Sequence, residues 1–241
     1  MTNLRSFHGF FRGIAALVVS ATIPVAAHAD NSVVVELYTS QGCSSCPAAD
    51  KVLKTLKNQP NVIALSLNVD YWDYLGWKDD LALPGNTIRQ RKYAKMMRSR
   101  HVYTPQLMVD GKMDVIGSRR SQVASAVESF SGVKDEARVD AKLEGDQVAV
   151  AVSPATVETR DATIWVVGFD SSIVKDVGGG ENRGRSIEYS NVVREWREVG
   201  RWDGKSSLNL KFPRPAGQGG LAVIVQEGEV GQILGAQQVD Y

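Results

Sequence analysis

Residues 32–39 read Ser-Val-Val-Val-Glu-Leu-Tyr-Thr, an apolar, β-branched run of the kind that forms a buried strand, and Gln41-Gly42 breaks it. Pro47 then stands where a first helical turn tolerates proline, and Ala49, Val52, Leu53 and Leu56 recur at the spacing of one helix face. A second apolar run, Val62 to Val69, ends at Asp70, and a helix crossing over between two such runs makes them a parallel pair. Gln106 to Val109 and Met113 to Ile116 flank Asp110-Gly111, which is a hairpin signal. Val123, Val127 and Phe130 fall on one face of a helix from about Arg120 to Phe130. The predicted order is β-α-β-α-β-β-α.

Near residue 135 the pattern changes from helical to alternating. Val139, Ala141 and Leu143, the turn Glu144-Gly145-Asp146, and Val148, Val150 and Val152 read as a β-hairpin. Further strands are predicted at 163–169, 186–194, 207–212, 221–226 and 232–239. The chain therefore reads as an α/β domain over 30–133 followed by an all-β, sandwich-like domain over 134–241. Gly178-Gly179-Gly180-Glu181-Asn182-Arg183-Gly184 lacks the lysine and Ser/Thr of a phosphate-binding loop and reads as a flexible connection.

The first 29 residues have another character. Arg5 and Arg12 precede an apolar run from Ile14 to Val25, and Ala27-His28-Ala29 is the small-x-small pattern of a signal-peptidase site, so a cleaved leader and a periplasmic or secreted protein are expected. The run is shorter than the roughly 20 residues of a membrane span. With 43% hydrophobic and 23% charged positions, and 28 Lys and Arg against 27 Asp and Glu, the chain is neither disordered nor a typical nucleic-acid binder. Loss of the leader removes two arginines and no acid, leaving a formal charge of about −1, and makes His101 the one remaining histidine.

Cys43 and Cys46 are the two cysteines. A bridge between residues three apart closes almost no loop, so it adds little stability and the pair points to chemistry. A zinc site would bring a second Cys or His pair, which the chain lacks. In the order strand, Cys-x-x-Cys, helix, Cys46 continues the apolar stripe and should face the core. Cys43 should be exposed at the helix N-terminus, where unpaired N–H groups and the helix dipole stabilise a thiolate and make it the nucleophile.

With these residues in place, 32–132 resembles a thioredoxin fold, with Cys43-Ser44-Ser45-Cys46 at the active-site position and Thr104-Pro105 ahead of the third strand. The resemblance implies a cis-proline at Pro105 beside the cysteines, and substrate backbone pairing next to it with Thr104. More narrowly, Glu-Leu-Tyr-Thr-Ser-Gln-Gly-Cys-Ser-Ser-Cys-Pro, Tyr71-Trp72-Asp73 and Thr104-Pro-Gln resemble a family of secreted bacterial proteins of unknown function carrying a thioredoxin-like domain. Gly42 stands where thioredoxins have tryptophan, and Ser44-Ser45 replaces their Gly-Pro, so the direction of electron flow is open. Glu36 lies near the position of the thioredoxin buried acid, one residue further from the cysteines; the alternative is a strand-end Glu reaching solvent.

Three further features have two readings each. Tyr71, Trp72, Tyr74 and Trp77 could line a groove for an apolar peptide or cap the core. His101 could join the two thiolates as a copper ligand, as in delivery proteins of the thioredoxin fold that space their cysteines one residue wider, or be an ordinary surface histidine. The basic run from Arg89 to Arg100 could meet an acidic partner or anionic lipid, or be a solvated helix face. The expected activity is exported thiol–disulfide exchange, with Cys43 attacking, Cys46 resolving, Glu36 and Pro105 assisting, and Thr104, Tyr71 and Trp72 contacting substrate. No cofactor is expected; the partners are a protein or small-thiol disulfide and a redox partner. A metal chaperone using Cys43, Cys46 and His101 and a non-catalytic interaction module are the alternatives.

Overall fold

The computed structural model describes residues 31–156 and 160–241; the expected leader lies outside the described residues. The first run forms β1 (Val33–Thr39), followed by α1 (Cys46–Leu56), β2 (Val62–Asn68), α2 (Pro84–Met96), β3 (Gln106–Val109), β4 (Met113–Ile116) and α3 (Arg120–Phe130). The hairpin between β3 and β4 turns where Asp110 and Gly111 both take positive φ. The later part supplies β5 (Ala137–Glu144), β6 (Gln147–Pro154), β7 (Ala162–Asp176), β8 (Ser186–Trp202), β9 (Leu208–Pro213), β10 (Gly220–Glu227) and β11 (Ile233–Asp240).

The strands assemble differently from the expected fold class. Eight of them form one mixed sheet in the order β11-β10-β7-β8-β2-β1-β3-β4, and β5-β6-β9 form a second, three-stranded sheet. The expectation of an α/β thioredoxin-like domain followed by an all-β sandwich-like domain is thereby corrected: the described chain is mostly β, and strands from its two halves share a sheet. The junction lies at β2, whose edge β8 joins in parallel through Ser66 and Val192. Asn191, at φ 46°, donates its side-chain amide to the Ala64 carbonyl at 2.9 Å, occupying an acceptor that a longer ladder would have filled.

Alternation along β1 explains the layers. Val33, Val35 and Leu37 face α1 and α3 with Leu53, Val123 and Val127. Val34 and Tyr38 face the other way, into a core with Leu65, Met108, Phe169 and Tyr93 of α2. The three-stranded sheet packs Val139, Val150 and Phe212 on Ile164, Leu221 and Val223. All of β1 is buried, so a charged residue in it needs a partner inside.

Candidate functional site

The cysteine pair sits where the end of β1 turns into α1. Cys46 opens the helix with Pro47 in its first turn, and Ser45 leaves the N-terminus without a side-chain cap. Cys43 and Cys46 form a disulfide with their Cα atoms 5.4 Å apart. Cys46 is fully buried, as its place in the apolar stripe predicts, but Cys43 is only 1% exposed, contrary to the expected open thiol. Ser44 and Ser45 are the exposed members of the motif.

The cover comes from the glycine-rich segment between β7 and β8. Asn182 donates its amide to the carbonyls of Cys43, at 2.7 Å, and Gln41, at 3.0 Å, while the Glu181 carboxylate accepts the Ser44 N–H at 3.0 Å. A β-carbon on Gly180 would lie 3.2 Å from Gly42 Cα, and one on Gly179 would lie 3.1 Å from Trp77 Cβ, so glycine permits the close approach. This segment is a folded part of the site rather than a free connection.

Beneath the motif lie two buried acids that the sequence reading did not single out. Asp79 accepts from the Gln41 backbone and side chain, both at 2.8 Å, from Leu81 N at 2.9 Å and from Asn68 Nδ2 at 3.0 Å. Burial raises its pKa in spite of these bonds. Asp50 is one helical turn beyond Cys46 on the same buried face of α1, and neither of its carboxylate oxygens has a hydrogen-bond partner. Burial, opposed by the Thr39 hydroxyl and reinforced by the negative charge of Asp79, pushes its pKa up to about 8. The available signal was its position: a carboxylate inside the stripe formed by Cys46, Ala49 and Leu53.

Several of the predicted residues gather around the cysteines. Trp72 Cβ lies 3.1 Å from where a Gly42 β-carbon would stand, and its indole N–H donates to Thr104 Oγ1 at 2.7 Å. The Thr104–Pro105 peptide is cis. A β-carbon on Gly117 would meet Ala49 at 3.1 Å and Pro105 at 3.5 Å, which sets Pro105 against the helix carrying Cys46. Tyr71 is half-buried, and burial raises its phenol pKa. Tyr74, 77% exposed, stacks on Trp72 with ring centroids 6.3 Å apart.

Glu36 is not part of this group. Its side chain leaves β1 on the face opposite Leu37 and α1, where Arg89 donates to both carboxylate oxygens at 2.7 and 2.8 Å and Tyr93 and Tyr38 donate at 2.7 and 3.0 Å. Arg89 in turn stacks over Trp196, 3.8 Å from the ring centroid. The basic run is thus partly spent, since Arg89 is buried and Lys92 pairs with Glu229 at 2.8 Å. His101 is exposed and contacts Ser99. Among the described residues no group of three or more His, Cys, Asp or Glu is arranged to hold a metal, and no helix is long and apolar enough to cross a membrane.

Comparison with known proteins adds a family but no activity. A crystal structure of an Agrobacterium tumefaciens protein is similar to this chain at 32% identity and a TM-score of 0.73, covering 86% of this chain and 93% of that one. HBP35 of Porphyromonas gingivalis matches at a TM-score of 0.60 and 12% identity, over 87% of this chain and 75% of its own, a likeness of fold. No curated protein matches. The family model described as "Protein of unknown function (DUF1223)" matches residues 34–226, a span that holds both cysteines, Asp50, Trp72, Pro105 and Asn182, and the chain belongs to that family.

Proposed function

We propose that the chain is an exported thiol–disulfide oxidoreductase whose reactive pair is Cys43 and Cys46. The observation that carries this reading is the disulfide itself, formed at the uncapped N-terminus of α1 with the buried Asp50 one turn beyond Cys46. In the oxidised protein a substrate thiolate attacks Cys43 Sγ, a mixed disulfide forms, and the Cys43–Cys46 bond breaks with Cys46 leaving as a thiolate. A second substrate thiolate then attacks the substrate sulfur of the mixed disulfide and releases Cys43. Two electrons and two protons pass from the substrate dithiol to the protein, and the reverse sequence reduces a substrate disulfide.

Each neighbour has a part in this cycle. The N–H groups at the start of α1 stabilise a thiolate on Cys43. Asp50 is placed to exchange the proton of Cys46, because side chains four apart on a helix are neighbours and burial holds its carboxyl near the pH at which a thiol titrates. Trp72, Thr104 and Pro105 form the wall against which a substrate strand would lie. The segment 178–184 has to move aside for the substrate to reach Cys43.

The test is equilibration of the protein with glutathione redox buffers, followed by quenching with an alkylating reagent and mass measurement. A reversible two-electron transition confined to Cys43 and Cys46 is expected, and Cys46→Ser should retain substrate as a mixed disulfide on Cys43. A disulfide that neither reduces nor re-forms in the folded protein would overturn the reading.

A further inference from the structure

Two adjoining clefts run along the exposed face of α1 from the cysteine motif. The first, about 540 Å³, opens at Ser44 and is walled by Pro47, Lys51, Ser118, Arg120 and Arg185. The second, about 620 Å³, shares Pro47, Lys51 and Arg185 with it and continues to Lys54 and Glu188. Their charge is one-sided. Lys51 and Arg120 have no carboxylate partner among the described residues, and the Arg185 guanidinium donates to the neutral Asn182 Oδ1, at 3.0 Å. The one carboxylate in either wall, Glu188, lies at the far end and is paired with Lys54 at 2.6 Å.

A carboxylate from outside the walls already binds at Ser44, where the first cleft opens. Glu181 binds the Ser44 N–H between the two cysteines, and this bond lowers its pKa. The same segment that carries Glu181 covers Cys43, so an incoming substrate that displaces it also frees the Ser44 N–H at the mouth of the cleft walled by Lys51, Arg120 and Arg185. From Cys46 to Lys54 the helix advances about 12 Å at 1.5 Å per residue. That length matches about four residues of extended chain at about 3.3 Å each, more than a small anion would fill.

We propose that this groove binds an acidic segment of polypeptide next to the substrate cysteine, and so selects substrates whose disulfides are flanked by Asp and Glu. The selectivity rests on the thiol–disulfide reading, but the binding does not, and the experiment separates them. Fluorescently labelled, cysteine-free pentapeptides rich in Glu, Gln or Lys are titrated into the full oxidised protein. The Glu peptide should bind about tenfold more tightly than the Gln peptide at low salt, and the difference should shrink toward unity at about 0.5 M salt, as it would for a few exposed charge pairs.

The double variant Lys51→Glu/Arg120→Glu should abolish that preference, whereas Lys205→Glu, an exposed change elsewhere, should leave it intact. Both positions are exposed, so a circular dichroism spectrum like the wild type is expected. Equal binding of Glu and Lys peptides would overturn the proposal, as would a preference that survives the double reversal. So would displacement of the peptide by equimolar inorganic phosphate, or retention by phosphatidylglycerol vesicles without peptide binding. In a second arm, disulfide peptides with Glu flanks should exchange about tenfold faster than Gln-flanked ones. Tight binding of the Glu peptide with no exchange of any disulfide would keep the groove and remove the redox reading.

Discussion

Asn182 donates its side-chain amide to the main-chain carbonyl of Cys43 at 2.7 Å and, with the same nitrogen, to that of Gln41 at 3.0 Å. A residue from the turn between β7 and β8 thus holds the loop that carries Cys43. It does so from a fully buried position; the Cys43 carbonyl also accepts the Cys46 N–H at 3.1 Å, whereas the Gln41 carbonyl relies on Asn182.

Asn182→Ala should therefore act on both stability and access. Leaving the Gln41 carbonyl unpaired costs about 1–3 kcal/mol. In the reduced protein Cys43 is expected to alkylate several-fold faster in the variant than in the wild type, while Cys46, buried in the α1 stripe, stays slow in both. Alkylation followed by peptide mass spectrometry reads both thiols at once. Equal Cys43 rates in the two proteins would show that the segment does not control access.

Asp50 makes stability and exchange depend on pH in opposite ways. A carboxyl held near 8 in the folded protein and near 3.8 in the unfolded chain binds its proton more tightly when folded. Its contribution is thus fully present below about pH 4, falls as pH rises from about 4 to about 8, and is level above. Asp50→Asn should remove this slope and raise stability at pH 7 by a few kcal/mol. Exchange should respond the other way: in the wild type the resolving step speeds up as pH passes through about 8 and Asp50 becomes a base, and Asp50→Asn should lose that inflection. Denaturant melts and stopped-flow exchange between pH 5 and 9 check both. An unchanged inflection would take Asp50 out of the proton transfer.

Glu36 and Arg89 give a contrasting case. Removing one member of a buried, bidentate pair leaves an uncompensated charge, so Arg89→Ala should destabilise the fold by about 3–5 kcal/mol. Glu36→Gln should leave the pH profile of exchange where it was, because Glu36 lies across the sheet from α1. A profile displaced by Glu36→Gln would restore Glu36 to the redox chemistry.

What the sequence disclosed and what it hid divide along contact range. The apolar run at 33–39, the stripe through Cys46, Ala49 and Leu53, and the Asp110-Gly111 turn are local patterns, and the elements formed where the patterns lie. The union of β2 with β8 has no local signature. Ser66 and Val192 belong to runs that are equally apolar whether their strands stand in separate sheets or share one. The same reason hid the burial of Cys43, since helix periodicity places it outside α1 and cannot see a distant Asn182 lying over it. Glu36 and Arg89 were each visible, as a charge in a buried strand and as a cation in a basic run. Only their pairing across the core decides that neither faces the cysteines.

Trp72 tests the substrate wall. Trp72→Phe keeps a ring against Gly42 but deletes the indole N–H that donates to Thr104 Oγ1 at 2.7 Å, a loss of about 1 kcal/mol in a half-buried setting. Thr104 directly precedes Pro105, so freeing its hydroxyl should let the wall beside the cysteines vary in position without altering the bonds of the disulfide. The expected result is a roughly three- to tenfold fall in kcat/KM for a peptide disulfide, most of it in KM, with the reduction potential of the Cys43–Cys46 pair unchanged. Exchange with a small disulfide such as oxidised glutathione should fall less, because it makes little use of an extended wall. A potential that moves with Trp72→Phe would assign Trp72 to the cysteines themselves, and equal peptide rates would exclude Trp72 and Thr104 from substrate contact.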